Sequence, residues 1–235
     1  MKTTVIVGAG GIGGWLVQLL GKMKCSVVLI DGDTVERRNL SRQLFGKDSI
    51  GRNKAEAMAA TMDPEGEFVK PLATFLGPGF LDDAIPEDAF WFCAADNHPA
   101  RAAMLDCVDA REAKCCIAAN EYRDAEAYYY DARNRGTGLD PRMYYPAILS
   151  DHSGDPMMPC TGAEADKKPQ LALANAQAAI HAVWLYRFWT EEAHKIPKGM
   201  PGRCFPVSVF NTSNGVTIKT KEDYEHRDES AGSGA

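Results

Sequence analysis

The chain has no excess of basic residues, no long apolar run and no C-x-x-C pair, and each lack narrows what it can be. A formal net charge of −6 over 235 residues leaves no electropositive footprint, which argues against nucleic acid as a partner. No apolar stretch approaches the roughly 20 residues that a membrane-crossing helix needs. The first residues run straight into a β-branched segment and a glycine turn, so the expectation is a cytoplasmic protein without a signal peptide and without a membrane partner. Of the seven cysteines, Cys115 and Cys116 are adjacent, whereas Cys93, Cys107, Cys160 and Cys204 stand alone. That spacing disfavours a four-thiolate metal site, and the odd count disfavours a disulfide framework, so free thiols in a reducing compartment are expected. What is present, 45% hydrophobic residues in a chain of this length, suffices for one sizeable core.

The first positive signal is a glycine-rich turn in a strand and helix setting. Residues 3–7, TTVIV, are followed by GAGGIGG at 8–14 and then by WLVQLLGKMK, whose apolar residues recur at helical spacing. In this context Gly8 makes a tight turn, Gly10 lets a backbone amide approach a phosphate, and Gly13 lets the helix pack closely on the strand. The helix N-terminus adds unpaired N–H groups and the positive end of a dipole. A second strand, CSVVLI, ends at Asp31, where an acid bonds ribose hydroxyls in dinucleotide-binding folds.

Further along, residues 51–62 read as a helix closed by Asp63 and Pro64, FVKPLATFL as a third strand, and PGFLDDAIPED as a loop with a helical turn. AFWFCAA is a continuous apolar run, as a strand buried on both faces would be, and residues 98–111 form a helix before a fifth strand, KCCIAAN. Strands alternating with helices predict an α/β, doubly wound, Rossmann-like and mostly parallel sheet, with its ligand crevice at the carboxyl ends of the strands. EYRDAEAYYYDAR reads as an antiparallel strand, and residues 134–166, rich in Gly, Pro, Asp and Met, as a long crossover loop. Lys168 to Trp189 reads as a long helix with Pro169 in its first turn, apolar around much of its circumference and so buried in the core or at a dimer interface. His181 within it reads as a packed residue rather than a base. RCFPVSVF and GVTIKT flank a hairpin signal at Asn211 to Gly215, adding antiparallel strands. The chain therefore reads as one domain over residues 1–222, with a disordered tail over 223–235.

The stretch from Asp31 to Lys54, DGDTVERRNLSRQLFGKDSIGRNK, carries more polar chemistry than a connecting loop needs. An NAD-binding enzyme has no use for Asp33, Asn39, Arg42, Gln43 and Lys54, whereas a site handling the phosphates of ATP does. Four blocks, GAGGIGG, DGDTVERRNLSRQ, IGRNKA at 50–55 and ADNHPAR at 95–101, stand in an order that resembles the ThiF/MoeB family of ubiquitin-activating-type adenylyltransferases.

The resemblance implies ATP and Mg²⁺ as cofactors. The glycines Gly8, Gly10, Gly11 and Gly13 would cradle the nucleotide and Asp31 would bind its ribose. Asp33, Asn39, Arg42 and Lys54 would lie at the phosphates, with Gln43 supporting their loop. Asp96, beside Asn97, would hold Mg²⁺. It further implies a ubiquitin-like or sulfur-carrier protein as substrate, a conjugating enzyme as a further partner, and a homodimer. Pro-Cys-Thr around Cys160 resembles the thioester motif of the ubiquitin-activating branch. Cys160 therefore reads either as an acyl acceptor or as an ordinary thiol. Two departures stand out: the paired cysteines that give relatives a zinc site are absent, so no zinc is expected, and an N-terminal arginine segment is missing. Another Arg or Lys would have to replace that arginine, or activity would be weak. Two other readings stay open, a non-catalytic nucleotide-binding scaffold of a ubiquitin-like pathway and an NAD(P)-dependent oxidoreductase.

Overall fold

The computed structural model of the protein describes residues 2–77, 79, 80, 82, 83, 85–121, 124–134, 172–195, 206–212 and 215–220. The strands are β1 (Thr3–Val7), β2 (Ser26–Ile30), β3 (Val69–Leu72), β4 (Phe90–Cys93), β5 (Lys114–Glu121), β6 (Asp124–Asp131), β7 (Pro206–Thr212) and β8 (Gly215–Thr220). The longer helices are α1 (Gly11–Lys22), α2 (Lys54–Met62), α3 (His98–Ala110) and α4 (Ala172–Arg187). All eight strands join one sheet in the order β3-β2-β1-β4-β5-β6-β7-β8. The first five run parallel, and β6, β7 and β8 extend the sheet antiparallel. The doubly wound sheet and its added antiparallel strands are thus as the pattern of the sequence predicts.

Alternate residues of the central strands feed two cores, one on each face. Ile6, Leu29, Phe92 and Cys116 pack with α1, α2 and α4 through Leu16, Met58 and Tyr186. Val5, Val28, Trp91 and Cys115 pack on the other face with α3 through Met104, Leu105 and Val108. Burial on both faces is why these strands read as apolar runs rather than as alternating ones. The five described cysteines, Cys25, Cys93, Cys107, Cys115 and Cys116, are free and buried in these layers, and burial pushes the thiols of Cys93, Cys107 and Cys116 above their ordinary range.

Several boundaries differ from the expected ones for identifiable reasons. α2 starts at Lys54 rather than Gly51, because Gly51 takes φ +87° and the Asn53 side chain accepts the Glu56 N–H at 3.1 Å as its cap. β3 stops at Leu72 because the Thr74 N–H turns back to the Leu72 carbonyl at 2.9 Å. The segment after it holds single turns closed by Phe80, Ile85 and Ala89 on Gly77, Asp82 and Pro86. Asp63 ends α2 and accepts the N–H groups of Glu67, Phe68 and Val69 at 2.9, 2.7 and 2.7 Å, which aims the chain into β3. Burial raises that carboxyl, but these bonds outweigh it and hold the group below its ordinary value.

Only one side of α4 is buried, by Ala174, Asn175, Ala178, Ala182 and Leu185 among others, whereas Leu173, Ile180 and Trp184 are exposed. The helix is therefore not enclosed all round by described parts of this chain. His181 is half-buried, and burial lowers its pKa. The expected crossover loop beyond residue 134, Lys168 and Pro169, the hairpin residues 213 and 214, and the tail lie outside the described residues.

Candidate functional site

Outward from β1 the chain builds β2 and then β3 on one side, and then crosses to β4 and β5 on the other. The crevice of such a sheet opens at this reversal, at the carboxyl ends of β1 and β4. Val7 is in register with Ile30 and with Cys93, so the next residues, Gly8, Asp31 and Ala94, form one row along the strand ends. The row is tied by bonds from the Gly8 N–H to the Ile30 carbonyl (2.9 Å) and from the Ala94 N–H to the Val7 carbonyl (2.8 Å).

Glycine is required along this row. Gly8 has φ +99°, and a Cβ there would stand 2.9 Å from the Ala94 carbonyl carbon. A Cβ on Gly13 would run into the Gly8 carbonyl oxygen, so the helix start sits directly on the turn, as the motif predicts. Gly10 differs: a Cβ would meet only Gln43 Nε2, at an ordinary 3.6 Å, and the space above it stays open to a ligand.

Asp31 joins the two halves of the site. Its Oδ2 accepts the Ala9 N–H from the glycine turn at 2.7 Å and its Oδ1 accepts the Asp33 N–H at 2.8 Å. Burial raises its pKa, opposed by these two bonds and by Lys54. The segment after it is folded against α2. Val35 bonds Arg52 and Gly51, and Asn53 Nδ2 donates to the carbonyls of Asp31 (2.8 Å) and Asp33 (3.1 Å). This brings Lys54 Nζ to 2.9 Å from Asp33 Oδ2, with the lysine side chain largely covered and the carboxylate exposed. Val35 and Phe45 anchor the segment in the core.

Asn39 is buried, and its Oδ1 accepts the Glu36 N–H at 2.8 Å, holding the short helical turn over Arg37–Asn39. The N–H groups of Arg42 and Gln43 both return to the Asn39 carbonyl, which sets Gln43 above Gly10. Asp96 and Asn97 are exposed beyond β4, and Asn97 Oδ1 caps α3 by accepting the Ala100 N–H at 2.9 Å. Gly8, Gly10, Gly13, Asp31, Asp33, Gln43, Lys54 and Asp96 are thus gathered at the strand ends. The side chains of Asn39 and Asn97 serve local turns, and Cys160 lies outside the described residues.

Three contributors escape a reading of spacing alone. Asn53 staples α2 to the two acids. Arg101, buried in α3, donates from Nε to the Ala95 carbonyl at 3.0 Å and so fixes the backbone beside Asp96. Asn175, buried in α4, donates from Nδ2 to the Arg42 carbonyl at 3.1 Å and packs so closely on Gly11 that a side chain there would displace its amide. The Arg101 signal was present in the ADNHPAR block. Nothing local marks Asn175, which acts across 133 positions.

Residues 2–162, more than half of the chain, match the model of the ThiF family. The chain belongs to the ThiF family. Among curated proteins it is similar to the SAMP-activating enzyme E1 of Haloferax volcanii, 33% identical over 107 residues that cover 43% of this chain and 39% of that protein. It also resembles ubiquitin-like modifier-activating enzyme 5 of Drosophila persimilis, 39% identical over 64 residues, 26% of this chain and 16% of the relative. Among solved structures it shares its fold with E. coli MccB bound to ATP, with a TM-score of 0.62 at 20% identity over 93% of this chain and 63% of MccB. The complex of MccB with AMPCPP and MccA matches at a TM-score of 0.60, with 20% identity over 93% of this chain and 62% of that one. The chain thus spans under two thirds of the length of each. No described helix is long and apolar enough to cross a membrane.

Proposed function

We propose that this ThiF-family domain, read as residues 1–222, is an ATP-dependent adenylyltransferase that activates the C-terminal carboxylate of a ubiquitin-like or sulfur-carrier protein. Attack of that carboxylate on the α-phosphate forms the acyl–phosphate bond and breaks the α–β bond, releasing pyrophosphate. The observation that carries this reading is the single row of Gly8, Asp31 and Ala94, with Asp96 two residues on and the Gln43 loop above Gly10. Similarity to named activating enzymes, and a fold-mate that holds ATP, support it.

In this reading the α1 N-terminus and the open space at Gly10 receive the phosphates. Asp31 accepts bonds from the ribose hydroxyls. Arg42 and Lys54 counter charge that grows on phosphate oxygens as the bond breaks, and here Lys54 is positioned by Asp33. Among the described residues no three His, Cys, Asp or Glu side chains gather as a metal cage. A lone exposed carboxylate is the donor set suited to an ion shared with phosphates, so Asp96 would hold Mg²⁺, which supplies charge neutralisation there. Transfer of the acyl group to the Cys160 thiolate, with AMP leaving, is the second part of the proposal. The assembly in the proposal is a homodimer.

Carrier-dependent exchange of labelled pyrophosphate into ATP tests the first part, with exchange expected in wild type and lost in Asp96→Ala. Binding of ATP with no exchange on any cognate carrier would instead favour a nucleotide-binding scaffold. A carrier adduct that reducing agent cleaves, present in wild type and missing in Cys160→Ala, tests the second part.

A further inference from the structure

One buried amide lies against both halves of the phosphate site, and none of the roles above uses it. Asn175 stands near the start of α4 on the buried side of the helix, beside Ala174 and Ala178, and is 1% exposed. Alanine at 175 would continue that side with better helix propensity and no polar group to desolvate. The asparagine is therefore accounted for by what its amide holds.

That amide stands between the glycine turn and the Arg42 loop. On one side its Nδ2, Cγ and Oδ1 all lie within 2.8 Å of where a Cβ on Gly11, the first residue of α1, would be. On the other side Nδ2 donates to the Arg42 carbonyl at 3.1 Å. The N–H groups of Arg42 and Gln43 return to the Asn39 carbonyl at 3.2 and 2.9 Å, so residues 39–43 form a closed turn, and a bond to one of its carbonyls holds the turn as a unit. Gln43 of the same turn reaches over Gly10. A single planar group thus sets the gap between the helix start and the backbone that carries the Arg42 side chain, while its burial keeps it out of reach of a ligand.

We propose that Asn175 is a positioning residue: by holding the Arg42 carbonyl against the glycine turn, it sets where the Arg42 guanidinium meets the nucleotide phosphates, which it does not itself touch. This inference rests on the nucleotide reading given above. It is tested on the full chain with Asn175→Leu, which keeps the side-chain shape and drops the donor, and with Asn175→Ala. Both variants are expected to weaken ATP by about fivefold or more, to leave adenosine binding unchanged, and to add no further loss in an Arg42→Ala background. In hydrogen exchange read by mass spectrometry, a peptide over residues 39–45 should exchange faster in both variants, while peptides over β1 and β2 keep their protection. Equal ATP affinity in wild type and Asn175→Leu, or a loss that multiplies with that of Arg42→Ala, would overturn the proposal while leaving the nucleotide reading in place. A parallel loss of ATP and adenosine, faster exchange throughout the chain, or failure of both variants to fold would also overturn it, since the amide would then be serving the fold. Absence of ATP binding in wild type would overturn both.

Discussion

The parallel strands at the site and the outermost antiparallel strand differ in what covers them. β1 from Thr4 to Val7 is buried, and the turn that follows has Gly8 and Gly13 pressed against neighbouring backbone. β8 lies at the far edge of the sheet, with Val216 and Ile218 exposed at 62% and 51%. The contrast shows where positional accuracy comes from. A carboxylate such as Asp31 is held because the strand beneath it is clamped on both faces and the turn beside it has no slack, whereas nothing described clamps β8 in that way.

The comparison breaks most sharply at Gly13. Helix propensity alone favours alanine there by about 1 kcal/mol. Yet a Cβ would occupy the place of the Gly8 carbonyl oxygen, which belongs to backbone and has no rotamer to yield. Gly13→Ala is expected to lower stability by about 3 kcal/mol, read as a fall in the urea midpoint at unchanged slope.

Asp63 comes next, because it directs the chain from α2 into β3. Asp63→Ala leaves three N–H groups without their acceptor and is expected to cost about 2 kcal/mol at neutral pH. Its folded pKa lies below the ordinary 3.8, so the stabilisation is present above that value and is lost as pH falls through the lower folded value. The gap between wild type and variant in denaturant titrations should therefore narrow only below pH 3.8. The smallest effect belongs to β8, where Val216→Thr should change stability by less than about 0.5 kcal/mol. A larger loss would show that the outer strand is clamped as firmly as the site.

Much of the fold could be read from the sequence because local chemistry and tertiary demand agree. The glycine turn, the apolar runs of β2 and β4, and the acid after β2 each announce themselves within a few residues. The D-x-D and N-L-x-R-Q blocks could be located, but not the way their side chains turn. Asn39 and Asn97 are polar residues in a phosphate-like pattern, yet their amides close local turns, a use that spacing cannot distinguish from ligand contact. Asn175 was illegible for a different reason. It reaches Arg42 from a distant helix and sits in no motif.

The buried thiols have one more consequence. Because five cysteines are shut inside the two layers of the sheet, and three of them are further discouraged from ionising, an alkylating reagent meets them only when the layers part. Mass-resolved uptake of such a label at those positions would clock the opening of the molecule site by site, with no dye or engineered probe.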